Sequence, residues 1–205
     1  MVRGRIVRPL AAAALAAALA FAPAHAAPRL ADVGGHIALG YSHLFTDQSP
    51  GGSLSTGVGI DVPIAPSLRA GIDVGYHLLG SRTLLQGSLT SGLDYSVFEA
   101  LAMVHWTRAG RGPALTVSGG PGVFIAHADL ASSPIGATFS NEAVGETRLG
   151  AAFGVTLARG SASPVRAGIE AGVRIVPITR APSDASLPRR TETWSIATLR
   201  FALLY

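Results

Sequence analysis

The sequence contains no cysteine and no lysine, and only 14 % of its 205 residues are charged. Without cysteine there is no disulfide framework and no thiolate metal centre. The missing lysine has no physical function that we can assign, and with every basic residue an arginine it fits a high-GC coding bias. Long apolar runs are scarce as well. One stretch, Leu10 to Ala22, is uninterrupted but 13 residues long, too short to cross a bilayer as a helix, and no later run approaches the required 18. Against these absences stand 48 % apolar residues and 25 glycines. That mixture is too apolar for a disordered chain and too rich in glycine for a helical bundle.

The first 26 residues read as a targeting signal. Arg3, Arg5 and Arg8 give a positive start, the Leu10–Ala22 run follows, Pro23 ends it, and Ala24-His25-Ala26 is a small-x-small cleavage site. Cleavage is expected after Ala26, leaving 27–205 as a single domain. Once 1–26 is gone, 13 Arg face 12 Asp and Glu. A balance so close to neutral gives a nucleic-acid role no electrostatic footing.

From Val33 onward, apolar residues recur at every second position, the period of a strand and not of a helix. Leu68, Ala70, Ile72, Val74 and Tyr76 alternate with Arg69, Gly71, Asp73, Gly75 and His77. Val165, Ala167, Ile169, Ala171, Val173 and Ile175 alternate with Arg166, Gly168, Glu170, Gly172 and Arg174. Eight such stretches are expected, at 33–43, 54–63, 68–79, 94–106, 114–126, 145–158, 165–176 and 193–205. Two carry conflicting signals. Phe98 to Met103 also suits a helical turn, and Pro121 within Gly119-Gly120-Pro121-Gly122 suggests a bulge or a local break.

The connections alternate in length. Segments 64–67, 107–113 and 159–164 are short, whereas 44–53, 80–93, 127–144 and 177–192 are long and rich in Ser, Thr, Asp and Pro. Short turns at one end and long loops at the other are the layout of an outer-membrane barrel, with both termini at the short-turn, periplasmic end. A soluble lipocalin-like barrel shares the alternation but would turn the polar face to water, where glycine contributes nothing. Here that face holds Gly57, Gly59, Gly71, Gly75, Gly150, Gly154, Gly168 and Gly172, which suits the narrow interior of an eight-stranded barrel. Tyr41, Tyr76, Trp106 and Tyr205 lie on the apolar parity near strand ends, where an interfacial girdle needs them. The expected fold is therefore all-β, an eight-stranded antiparallel up-and-down transmembrane β-barrel.

The terminal residues Ala197, Leu199, Phe201, Leu203 and Tyr205, in alternation, resemble the C-terminal signal of bacterial outer-membrane proteins. Leu39-Gly40-Tyr41-Ser42-His43 and Val74-Gly75-Tyr76-His77 are similar to strand ends of small OmpA-, OmpX- and OmpW-like barrels. The resemblance implies recognition of Leu199, Phe201, Leu203 and Tyr205 by the barrel-assembly machinery. Tyr205 stands where that family most often has Phe. It also implies a location in the bacterial outer membrane, with lipid and lipopolysaccharide as surroundings and a monomeric state.

Catalytic patterns are thin. His127-Ala128-Asp129, with Ser132, Ser133, Ser140 and Glu142, is the nearest approach to a lipid A deacylase, but Asp129 stands where the nucleophilic Ser belongs. No Asp-Ser pair of the palmitoyltransferase kind occurs. His36, His43, His77, His105 and His127 show no ligand spacing along the chain, so no metal, cofactor or enzymatic activity is expected. Arg180, Arg189 and Arg190, beside Asp184 and Glu192, could meet lipopolysaccharide phosphates, although a solvated loop is the plainer reading.

Parity sends Asp61, Asp73, Glu99, Glu146 and Glu170 inward together with Arg69, Arg148, Arg166, Arg174 and Arg200, with His36, His77 and His105 beside them. Asp61 is expected level with Arg69, and Asp73 level with Glu99. Balanced charges in a narrow lumen point to a salt-bridged plug, whereas a selectivity ring would carry one sign. Two roles follow: a structural or surface-interaction barrel, or a narrow channel for small or hydrophobic solutes. A lipid A-modifying enzyme stands third.

Overall fold

The computed structural model describes residues 33–46, 51–86, 89–108, 112–130, 144–159, 165–180 and 190–205. The expected signal segment lies outside them. The strands are β1 (Gly34–Phe45), β2 (Gly51–Ala65), β3 (Leu68–Gln86), β4 (Leu89–Arg108), β5 (Ala114–Leu130), β6 (Val144–Ala158), β7 (Arg166–Arg180) and β8 (Arg190–Leu204). Each pairs antiparallel with the next, and β8 returns to β1, so the sheet is a closed barrel. Closure gives every strand two neighbours and pairs most of the backbone within the wall, as lipid requires.

Alternation decides the two faces. Ile37, Leu39, Leu149, Phe153, Ile169 and Phe201 are exposed on the outside, with Leu149 reaching 69 %. An apolar belt of this kind is stable against lipid and not against water. Tyr76 and Trp106 bracket it on the β3–β4 pair, where Tyr76 faces Phe98 and Leu68 faces Trp106. Eight residues of tilted strand separate them, a height of roughly 20 Å, close to the apolar band of outer-membrane barrels.

The strands outrun the expected ones at the loop end. β3 and β4 remain laddered to Gln86↔Leu89, so most of 80–93 is hairpin and not loop. Likewise β5 reaches Leu130, β7 reaches Arg180 and β8 starts at Arg190. Apolar alternation marks a strand only where one face meets lipid. Above the belt the outer face turns polar, with Ser81, Asp94 and Thr193, while the inner face turns apolar, so the lipid-facing alternation stops although the ladder continues. A register shift between Leu78 and Ser81 accompanies Gly80, whose φ of 84° favours glycine.

Phe98 to Met103 is strand, not helical turn. Around Pro121 the ladder to β4 breaks without a bulge. Leu101 pairs with Gly122 and Val104 with Gly119 in one register, and the two positions between are unpaired. A second break is larger. β6 and β7 pair only from Ala151↔Ile175 to Ala158↔Gly168. Above that, β6 is bonded to β5 alone and β7 to β8 alone. The Thr179 N–H points toward β6, where it donates to Glu146 Oε2 at 3.0 Å. Strand period places the Pro177 nitrogen on the same side, and proline has no hydrogen to give. A side-chain carboxylate thus stands in for a backbone acceptor along this seam.

Candidate functional site: a lumen in two storeys

At the loop end the lumen is packed with apolar side chains. Leu44, Leu79, Leu93, Val97, Phe124, Val176, Ile178, Trp194 and Ile196 are all at 0 % exposure. Tyr95 and Trp194 meet with ring centroids 5.6 Å apart. The expectation of a polar interior is corrected here: roughly the upper half of the lumen is an apolar plug. β4 carried the signal, because Leu93, Tyr95, Val97, Leu101 and Met103 share the inward parity. Apolar residues on both faces of a strand mark burial on both sides.

Beneath the plug lies an ionic layer. Glu99, 1 % exposed, accepts from Arg174 Nε at 3.2 and 3.3 Å, and His77 Nε2 stands 3.1 Å away. His77 Nδ1 lies 3.0 Å from Ser55 Oγ, and Arg174 Nη1 donates to Thr198 Oγ1 at 2.8 Å. Glu170 pairs with Arg200 and lies 3.8 Å from Arg174. Charges this deep persist only when paired. Glycines make the room: a Cβ on Gly75 would sit 2.7 Å from Glu99 Oε1, and one on Gly57 2.6 Å from Arg200 Nη1. His77 was expected beside the inward charges, whereas Ser55 and Thr198 were not. Their inward parity was visible, but a hydroxyl draws no notice until a charge is placed beside it.

Below this layer, a cavity of about 520 Å³ lies among the turn-end residues. Its lining includes His36, Asp61, Arg69, Asp73, His105 and Arg166. Asp61 and Arg69 form an ion pair, and Arg69 Nη2 also donates to the Asp61 carbonyl at 3.1 Å. They are not level, however. Asp61 faces Gly71 while Arg69 faces Pro63, because the hairpin is centred at Pro66, one residue beyond the centre that would set them level, so the pair runs diagonally. Asp73 is not level with Glu99 either: it faces Leu101, and Glu99 faces Gly75. The hairpin is centred beyond Gln86, midway between Gln86 and Leu89, and the bulge at Leu78/Ser81 restores only part of that offset. Asp73 instead lies 3.8 Å from His36 Nε2 and 4.0 Å from His105 Nε2.

Glu146 and Arg148 pair with each other at 2.9 and 3.1 Å, beside the β6–β7 seam and well above the ionic layer. Among the described residues, Asp73 has no arginine partner and Arg166 has no acidic one. The balanced set therefore resolves into four pairs and two remainders.

Leu199, Phe201 and Leu203 face outward against Tyr41, Leu39 and Ile37 of β1, and the Tyr205 backbone exchanges two 3.0 Å hydrogen bonds with Gly35. The expected terminal signal thus forms the closing strand and shows its apolar face to the outside. His127 faces outward opposite Ser96, and Asp129 stands opposite Asp94, away from the lumen. Ser132, Ser133, Ser140, Glu142, Asp184 and Arg189 lie outside the described residues, as do the side chains of Arg180 and Arg190. Among the described residues, no three His or carboxylate groups stand at metal-coordinating spacing.

A closed eight-stranded wall with an apolar exterior and a packed interior defines the architecture of small outer-membrane β-barrels. Solved structures of that kind resemble it. Neisserial surface protein A matches with a TM-score of 0.62 at 8 % identity, over 84 % of this chain and 96 % of that one. A major outer membrane protein from Thermus thermophilus matches at 0.54 and 14 % identity, over 84 % and 98 %. At these identities the likeness is one of fold. No protein-family model matches the sequence, and no curated protein does.

Proposed function

We propose that the chain is a non-conducting bacterial outer-membrane barrel with a structural or surface-interaction role. It would be exported by its first 26 residues, be assembled through Leu199, Phe201, Leu203 and Tyr205, and sit as a monomer among lipid and lipopolysaccharide. In this reading the termini and short turns face the periplasm. The β3–β4 hairpin then projects from the cell, since its strands of 19 and 20 residues exceed the 9–11 that span a bilayer.

The observation that carries the reading is the apolar plug. Trp194, Phe124 and Leu44 fill the loop-end lumen with no exposed surface, which supports a barrel closed to water. The alternative, a narrow channel, draws support from the polar turn-end cavity but needs the plug to move. Planar-bilayer recording on the refolded mature protein separates them. No stable conductance is expected, and large, long-lived openings would overturn the proposal.

A further inference from the structure

Of the expected lumen charges, Asp73 and Arg166 are the two that pair with no arginine or carboxylate among the described residues. Asp61 is taken by Arg69, Glu99 by Arg174, Glu170 by Arg200 and Glu146 by Arg148. Both leftovers line the turn-end cavity. The ladder explains why they do not meet. Arg166 faces Leu204, Leu204 faces His36, His36 faces Gly59 and Gly59 faces Asp73, in one row across five strands. Four strand spacings of about 4.8 Å carry that row halfway round an eight-stranded wall, so the two charges stand on opposite sides. Their depths differ as well. Arg166 is the first residue of β7, at the rim, whereas Asp73 is the sixth of β3.

Asp73 is poorly satisfied where it stands. His36 Nε2 and His105 Nε2 lie 3.8 and 4.0 Å from its carboxylate, too far for direct hydrogen bonds. Its Oδ1 is buried without a partner, as is Nε2 of His105, a residue only 9 % exposed. Buried polar atoms without partners are rare in native proteins and call for an explanation. Gly59 keeps the wall beside the carboxylate clear, since a Cβ there would overlap both Asp73 and the His36 ring. On the β5–β6 side the lining carries hydroxyls, at Thr116, Ser118 and Thr156.

We propose that this cavity binds a small zwitterion with its charges at opposite ends, of the class of a short peptide, its ammonium beside Asp73 and its carboxylate against Arg166. The cavity's 520 Å³ falls within the roughly 300–1,000 Å³ of small-molecule sites. Charge selects the class. In the lining Asp61, Asp73 and Glu170 balance Arg69, Arg166 and Arg174. A ligand of one sign therefore answers one leftover and strands the other, whereas a zwitterion answers both and keeps the lumen neutral. Arginine suits the carboxylate end, which it can hold through two parallel hydrogen bonds. Asp73 accepts from the ammonium, and the hydroxyls of the lining meet the peptide groups between. Separation selects the length. A single α-amino acid carries both charges on one carbon and cannot reach from wall to wall. The ligand lies lengthwise, ammonium deep and carboxylate at the mouth.

The test is calorimetric titration of the refolded mature protein with glycine and with di-, tri- and tetraglycine. At least one of the peptides should bind stoichiometrically and more tightly than glycine. Acetylating its amino group or amidating its carboxylate should each weaken binding by at least about tenfold, because either change leaves one buried charge unanswered. Asp73→Asn should remove the preference for a free ammonium and keep that for a free carboxylate, and Arg166→Gln should do the reverse. A purely structural role for either residue would not separate the two preferences. Arg148→Gln, at the loop end, should leave binding unchanged. Heat-modifiable electrophoretic mobility reports separately that each variant has formed its barrel, and either lumen variant alone suffices for the test. Absence of saturable binding by every peptide overturns the site, as does equal binding of the blocked peptides or unchanged preferences in the variants. Conductance plays no part in these readouts, so this inference and the plugged-barrel proposal fail independently.

Discussion

At the loop end the lumen is closed by Trp194, Phe124 and their aliphatic neighbours, whereas below Glu99 it holds paired charges and open space. The upper half excludes water by shape, and its contacts are non-directional. The lower half depends on specific partners, each of which leaves a buried charge behind when it is lost. The same wall therefore supports two kinds of interior that respond differently to substitution.

The largest effect is expected in the plug. Trp194→Ala removes the bulkiest fully buried side chain and should lower stability by about 3–5 kcal/mol, measured by urea unfolding in lipid vesicles. Glu99→Gln keeps the shape of the ionic layer but removes the charge facing Arg174. It should cost about 3 kcal/mol in the same assay, and the double variant with Arg174→Met should recover much of that loss. If Glu99→Gln alone is neutral, the layer is not held by charge and the contrast between the halves fails. The smallest effect belongs to Asp61→Asn. Its partner Arg69 has a side chain 32 % exposed at the turn end, and a screened pair of this kind contributes less than about 1 kcal/mol.

Legibility in the sequence followed the same division. The eight strands, the outward parity of Ile169 and Phe201, and the inward glycines were all readable, because lipid on one side and a narrow lumen on the other impose a strict period of two. The inward direction of Glu99, Arg174 and Arg200 was readable for the same reason. Which acid meets which arginine was not, since Glu99 reaches Arg174 across the lumen from β4 to β7 and the hairpin centres lie a residue or so from the expected ones. The plug escaped for another reason. Leu93, Tyr95 and Val97 alternate with Asp94 and Ser96, so the apolar parity changes face along one strand, and composition alone does not separate a dry interior from lipid.

A cylinder held together by hydrogen bonds resists being pulled open about equally at every joint, unless one joint is short of bonds. Here that joint is the β6–β7 seam above Ala151↔Ile175, where Pro177 has no hydrogen to donate and Glu146 substitutes for a backbone acceptor. The closure between β1 and β8, by contrast, is laddered from His36↔Leu204 to Phe45↔Ser195. Lateral pressure from the membrane would accordingly unzip the wall from the loop end of β6 and β7, not where the chain's two ends meet. The amides along that upper stretch would be the first in the barrel to exchange with solvent.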